Sequence, residues 1–480
     1  MNQTLGHKLF RTKTASKQQE GGLARTMGLF PLTMIGVGAT IGTGIFFTMV
    51  EAVPKAGPAV ILSFLLAALT AGLTALCYAE LSFRIPASGS SYSFAYATLG
   101  EFAAFIIAAC LLLEYGLAAS ATAIGWSEYL NNFLQMAFDI QIPEHLRTAM
   151  FVADADHGVE FHPGQFNLPP ILLVIMCGIL LIRGTKESAM ANALMVLVKL
   201  AILLFFVVIA LTGFNADNLT PFFPSGEGNA ALAGVTAGAG LVFFSFIGLD
   251  TVATAGEEAR NPTRNVPIGI LAALGIVTLF YMLVAVAAVG AQPAEMFADQ
   301  KAGLSVILQN VTGSAWPAVV LSAGAVISVF SVTLVTIYGQ TRILYAISRD
   351  GLISPAFSRV HARTQAPVIN TVIVSIVVAL VAGLVDSTFL WNMVSMGTLT
   401  AFIVVSIAVP VLRARQGEAL TRGFKVPFGP YLVPGLSVAA CLWIMYGLSS
   451  ETYQAFAVVM VLALATYFLY SIRHSKLNQG

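Results

Sequence analysis

The residues of this 480-residue chain best placed to do chemistry are a few charged side chains set inside long apolar runs. Lys199 lies near the middle of the run 189–214, and Glu114 lies inside the run 102–130. Asp250 closes Phe244-Ser245-Phe246-Ile247-Gly248-Leu249-Asp250 within the run 231–255. A lysine at the centre of a membrane helix costs at least ~2.5 kcal/mol on insertion scales, so it needs polar partners and implies a function. Ser188, Asn192 and Lys199 follow one another at offsets of four and seven, which places them on one helical face turned into a bundle. Two roles fit such a lysine: a permanently charged structural pair, or a group that releases and rebinds a proton. Asp250 suits a proton acceptor, a partner for a cation, a gating group, or a cap on a loose helix end. Glu114 suits contact with a bound solute, local charge balance, or a structural hydrogen bond between helices.

Glycine supplies the second signal. Gly36-Val37-Gly38-Ala39-Thr40-Ile41-Gly42-Thr43-Gly44 places four glycines in nine residues of the first apolar run. The sixth run carries Gly238-Ala239-Gly240 and then Gly248. Each interior glycine weakens a helix by about 1 kcal/mol relative to alanine. Paired interruptions in two runs five helices apart point to an inverted repeat with its binding site at the breaks. A half-helix starting near Gly42 to Ile45 would direct free N–H groups and a positive dipole end at a carboxylate. Unwound carbonyls near Thr40 and at Phe244 to Ile247 would accept from an ammonium group. Both ends together suit a zwitterion. The alternative is close helix packing, which small residues also serve in membranes.

The elements that must position these residues follow from hydropathy. Hydrophobic residues form 57% of the chain, charged residues 10%, and mean hydropathy is +0.84. A soluble chain carries about 25% charged residues, so this one cannot clothe a water-facing surface. About twelve runs approach the ~20 residues that cross hydrocarbon. They are 29–50, 59–84, 102–130, 168–182, 189–214, 231–255, 267–290, 316–347, 368–385, 389–411, 431–449 and 453–472. The predicted fold is therefore an all-α integral membrane protein.

Basic residues orient it. With the amino terminus cytoplasmic, 20 lysines and arginines fall on inner segments and three (Lys55, Arg147 and Lys301) on outer loops, with Lys199 inside a span. That asymmetry predicts cytoplasmic termini in a cell membrane and supports the span count. The longest outer loop, 131–167, carries Asp139, Glu144, Asp154, Asp156 and Glu160 with His145, His157 and His162. Its spacings match no metal motif, so an ordinary solvated loop is expected and no metal is predicted. Cys77, Cys110, Cys177 and Cys441 all lie inside spans and read as buried free thiols. Residues 1–27 are polar and basic without a short apolar core, and no cleaved leader is expected.

In this order and on these spans, several fragments make the chain resemble the amino acid–polyamine–organocation (APC) superfamily. The likeness is greatest to the cationic amino acid transporter type and its bacterial relatives. It rests on Gly38 to Phe46, Pro86-Ala87-Ser88-Gly89-Ser90-Ser91-Tyr92, Phe244 to Asp250, Glu257-Glu258-Ala259-Arg260-Asn261-Pro262, Tyr338-Gly339-Gln340-Thr341-Arg342 and Ser348-Arg349-Asp350-Gly351-Leu352. The resemblance implies a five-plus-five inverted repeat with broken first and sixth helices and two added carboxy-terminal helices. The divisions would be a tail at 1–27, repeats at 28–214 and 231–411, the added pair at 430–473 and a tail at 474–480. It implies secondary transport of cationic and/or small neutral amino acids by alternating access, without an enzymatic reaction or a cofactor. Amino acid, protons and lipid bilayer are then the partners; a small membrane-protein subunit is left open.

Carried onto this sequence, Thr40, Ile41, Gly42, Thr43, Gly44, Phe244, Ser245 and Ile247 form the substrate site. Thr43 and Gly44 meet the carboxylate; Thr40, Phe244 and Ile247 offer carbonyls to the amine. Phe244 also lids the substrate or merely packs. Glu114 and Thr336 border the side-chain pocket, where Thr333, Thr336 and Gln340 share a face. Lys199 stands where related transporters hold a sodium ion and, with Asp250, couples or gates the cycle. Exchange or facilitated diffusion without ion coupling is the alternative, and a transporter-like sensor or a channel is the other class.

Several classes lack their parts. All six histidines fall outside the spans, so a buried histidine catalytic or metal centre is not predicted. No glycine-rich phosphate loop followed by Lys-Ser/Thr occurs, and a net charge of +1 gives no argument for nucleic acid. A channel calls for rings of carbonyls or charges, whereas this chain has single embedded charges. Glu80, Glu257 and Glu258 lie near inner arginines and read as gate or loop pairs.

Overall fold

The computed structural model describes residues 5–13, 25–154, 158–223, 226, 228–297, 303–385, 387–416, 423–446, 448 and 450–478. Lys17, Asp156, His157, Lys301 and Arg422 lie outside the described residues, as do parts of both tails. Eight helical runs among them are long and apolar enough to cross a bilayer. Four shorter apolar helices, Leu29–Thr40, Leu168–Arg183, Val368–Leu384 and Leu432–Tyr446, account for the remaining predicted spans. Within a bilayer every backbone polar group must be satisfied inside the protein, which is why apolar runs of this length become helices. Leu204, Leu211, Val458 and Leu469 remain exposed on the outside of the bundle, as lipid-facing residues should.

Span ends moved where the sequence carried no stop signal. The third helix runs from Glu101 to Phe138, eight residues past its predicted end, and closes on Asp139 in a left-handed conformation. The outer loop is correspondingly shorter, and it is not featureless. Phe151–Asp154 and Gly158–Phe161 form an antiparallel hairpin with Phe151 opposite Phe161.

The two breaks are present, and they are narrower than the glycine runs suggested. Leu29–Thr40 ends at Ile41, Gly42 is non-helical, and Thr43–Ala56 resumes. Asn229–Phe243 passes into a tight turn, Phe244–Phe246, then extended Ile247 and Gly248 at φ +106° before Thr251–Thr254. Gly36, Gly38 and Gly238 stay helical and serve packing. A Cβ on Gly36 would lie 2.6 Å from Ala273 Cβ, one on Gly38 2.6 Å from Asn192 Oδ1, and one on Gly238 2.6 Å from Ser63 Oγ. Gly44 and Gly248 hold the breaks together instead. A Cβ on Gly44 would come within 2.8 Å of the Ser245 Cα, and one on Gly248 within 2.9 Å of the Ala39 carbonyl oxygen.

The long Trp316–Arg349 helix packs along both Glu101–Phe138 and Thr185–Thr212. Pro262–Ala291 packs against Leu29–Thr40 and Val60–Arg84. The third, fifth, seventh and eighth spans thus surround the two breaks.

Candidate functional site at two helix breaks

A cavity of about 40 Å³ lies between the breaks, room for roughly three waters. Thr40, Gly42, Gly44, Phe244, Ser245, Ile247, Glu114 and Thr336 all line it. One predicted substrate residue is placed otherwise, and the side chain of another is not described. Ile41 faces away, fully buried, and the side chain of Thr43 lies outside the described residues. Thr43–Ala56 begins at the cavity wall, and its cap residue Gly42 provides no side-chain acceptor. First-turn N–H groups without a cap are a ready receptor for an anion such as a carboxylate.

Lys199 approaches this site from behind. It is fully buried, and its Nζ donates to the carbonyls of Gly38 (3.1 Å) and Ile41 (2.5 Å). Ser328 Oγ donates to the same Ile41 oxygen at 3.5 Å. No carboxylate forms an ion pair with Lys199 among the described residues. The lysine therefore holds the first break through main-chain dipoles. Asn192, on the same face, donates to Met34 O at 3.0 Å and accepts from Ser331 Oγ at 2.7 Å. Ser188 is buried beside a second, smaller cavity with Met27, Asn192 and Tyr338.

The two acidic residues differ. Glu114 lines the cavity, and its Oε2 has no hydrogen-bond partner. Asp250 stands just outside, with Tyr115 donating to its Oδ2 at 2.7 Å and its Oδ1 left without a partner. Thr336 spends its hydroxyl hydrogen on Val332 O at 2.8 Å, so it offers the cavity lone pairs and a methyl group.

Some site residues were missed by sequence reading. Ala118 and Thr122 line the cavity with Glu114; their spacing of four along one helix was a usable signal. Tyr115, beside Glu114 in sequence, joins the third span to Asp250 and, at 3.1 Å, to Thr251 Oγ1. Tyr281 carried no signal, being one of 13 tyrosines in an otherwise apolar run. Its hydroxyl lies 2.8 Å from Thr40 O and 2.9 Å from Ser245 O, so one proton serves both breaks.

At the basic end of the bundle, buried charges are paired. Arg349 donates to both oxygens of Glu257 at 2.7 Å, and Arg342 Nε donates to Glu258 at 2.7 Å. Tyr338 adds a donor to Glu258 at 3.0 Å. Met27 N donates to Glu258 O and Arg260 N to Met27 O, fastening the entry of the first span to the exit of the sixth. Glu80 pairs with Arg413 and Arg84 farther out.

A buried cavity between two interrupted helices, facing an uncapped helix start, is the arrangement expected for carrying a small zwitterion. A family profile described as amino acid permease matches residues 27–474. The chain belongs to the amino acid permease family. The permease is a multi-pass membrane transporter of the APC superfamily, not an enzyme. It is 41% identical to the methylthioribose transporter of Bacillus subtilis, over 98% of this chain and 99% of that one. It is 40% identical to a branched-chain amino acid permease of the same organism, with the same coverage of each chain. Similarity extends to the vacuolar cationic amino acid transporter 4 of Arabidopsis thaliana, at 36% identity over 82% of this chain and 64% of the relative.

Proposed function

We propose that the permease moves neutral amino acids, small or branched, across the cell membrane by alternating access, in symport with protons. The carrying observation is Lys199. Its ammonium bridges Gly38 O and Ile41 O, on the element whose next turn faces the substrate cavity. Gain or loss of that charge would tighten or release the first break, linking proton movement to the shape of the site. A neutral side chain accords with walls of Ala118, Val332, the Thr336 methyl and Ile247. It accords also with the branched-chain amino acids for which one relative, similar over nearly the whole chain, is named.

In this reading the carboxylate rests on the N–H groups at Thr43 and Gly44, and the amine on carbonyls at Thr40, Phe244 and Ile247. Phe244 closes over the substrate, and Asp250 gates through Tyr115. Residues 28–214 and 231–411 form the inverted repeats, and both termini are cytoplasmic. A cationic substrate is the second reading, favoured by the unpartnered Glu114 Oε2 at the cavity.

Uptake of labelled alanine, leucine and arginine into proteoliposomes, with and without an inward proton gradient, tests all of this. Gradient-driven uptake of alanine or leucine is expected. Uptake of arginine alone would replace the substrate assignment, and uptake indifferent to the gradient would remove the coupling.

A further inference from the structure

The last membrane helix and the two chain ends have no part in the site described above, yet they converge on one buried carboxylate. Glu101 opens the third span and is fully buried. Arg11 donates to it twice, through Nε at 2.9 Å and Nη2 at 2.8 Å. Tyr96 donates at 2.8 Å, Tyr467 from the last span at 3.2 Å, and Ser475 beyond it at 2.5 Å. Both oxygens are thus engaged by donors from the amino-terminal strap, the third-span entry and the carboxy-terminal tail. Arg11 Nη1 also donates to Asn478 at 2.8 Å, so strap and tail bind each other as well as Glu101.

The same strap and tail reach the closed end of the transport path. Lys13 pairs with Asp350, the residue after Arg349 of the Glu257 pair, and Tyr92 donates to the other Asp350 oxygen at 2.7 Å. Lys476 N donates to Asp350 O at 3.0 Å. Close packing fixes the geometry: a Cβ on Gly100 would sit 2.9 Å from Phe10 Cα.

We infer that Glu101, Arg11, Ser475 and Asn478 form a latch by which the two chain ends together hold the basic end of the bundle shut. Opening that end requires the turn around Asp350 and the Glu257–Arg349 pair to move. The latch ties this turn to the third-span entry and to the last helix, so opening must break or carry along a buried, charge-assisted cluster. Such bonds are the strong ones, and interdependent partners act as one switch. The last span thereby gains a role, because it anchors the tail that completes the latch. The inference rests on the alternating-access reading, since a latch needs an end that opens.

The test uses the full chain in lipid nanodiscs, with Ser88→Cys as reporter. Ser88 is fully buried, its N–H donates to Glu257 at 3.3 Å, and its hydroxyl has no partner. A hydrophilic maleimide should label the introduced thiol slowly when the latch is intact. Arg11→Gln, and separately Ser475→Ala with Asn478→Ala, should each speed labelling roughly tenfold by shifting the closed-to-open balance. Glu258→Gln, which breaks the gate pair directly, shows whether this end opens at all. Fast labelling with Glu258→Gln but unaccelerated labelling in both latch variants overturns the latch. Unaccelerated labelling in all three, with transport intact, overturns alternating access at this end and the latch with it. Should Arg11→Gln fail to fold, the tail variant, which leaves Arg11 on Glu101, decides alone.

Discussion

Charge is buried in two different ways at the two levels of this bundle. At the basic end, each of Glu80, Glu101, Glu257 and Glu258 has an arginine partner, within 2.5–2.8 Å. Around the cavity, Lys199, Glu114 and Asp250 have no oppositely charged partner among the described residues. Lys199 meets carbonyls, Asp250 meets a phenol, and Glu114 Oε2 meets no donor. A buried ion pair fixes both charges, because removing either leaves the other stranded in a low dielectric. A charge held by neutral dipoles is positioned without being fixed, which suits a group that must exchange a proton or greet a substrate. The basic end holds its charges in pairs; the middle holds single charges against neutral dipoles.

Five substitutions put that contrast at risk. The largest effect on transport is expected from Lys199→Met, which should abolish the gain in proteoliposome uptake that a proton gradient gives. A variant that still responds to the gradient would show that the lysine only braces the first break. For Glu258→Gln, which leaves Arg342 buried beside a neutral amide, the expected loss is about 3–5 kcal/mol of stability, read as a lowered melting temperature in detergent. Equal melting temperatures for Glu258→Gln and Glu114→Gln would erase the difference between the two levels.

Tyr281→Phe removes one donor from two main-chain acceptors and keeps the ring against Phe246, whose centroid is 5.2 Å away. At about 1–3 kcal/mol for the stranded acceptors, substrate affinity should fall roughly tenfold, measured by thermal shift against ligand concentration. Unchanged affinity would mean that the breaks hold their shape without the tyrosine. The smallest effect belongs to Thr336→Ala: a wider pocket should favour leucine over alanine by about fivefold, the low end of the ~1–3 kcal/mol that one methylene-sized contact is worth. A competition assay with no change in that ratio would place Thr336 outside the side-chain pocket.

Much of the cavity lining was legible because its signals are local. Thr40, Gly42, Gly44 and Phe244 sit in runs whose glycines and polar atoms are out of place in an apolar helix. Lys199 stood out by its cost in hydrocarbon. Ala118 and Thr122 were missed, although counting by four from Glu114 would have placed them on the same helical face. Glycine count was the weaker guide, because a glycine that opens a helix and one that admits a neighbour look alike in sequence. Gly42 does the first, and Gly38 only makes room for Asn192.

The sequence by itself determined that this chain fills a bilayer with about twelve helices, since hydrocarbon imposes the same requirement on every segment whatever its neighbours. It also marked where two helices would fail. Tertiary structure alone decided which carbonyls each buried donor reaches. Tyr281 meets Thr40 from 241 positions away, and Lys199 meets Ile41 across 158. Packing angles, not patterns along the chain, set such distances. The same holds for the latch, where Arg11, Glu101 and Ser475 come together only once the first, third and last segments have folded into one end of the bundle.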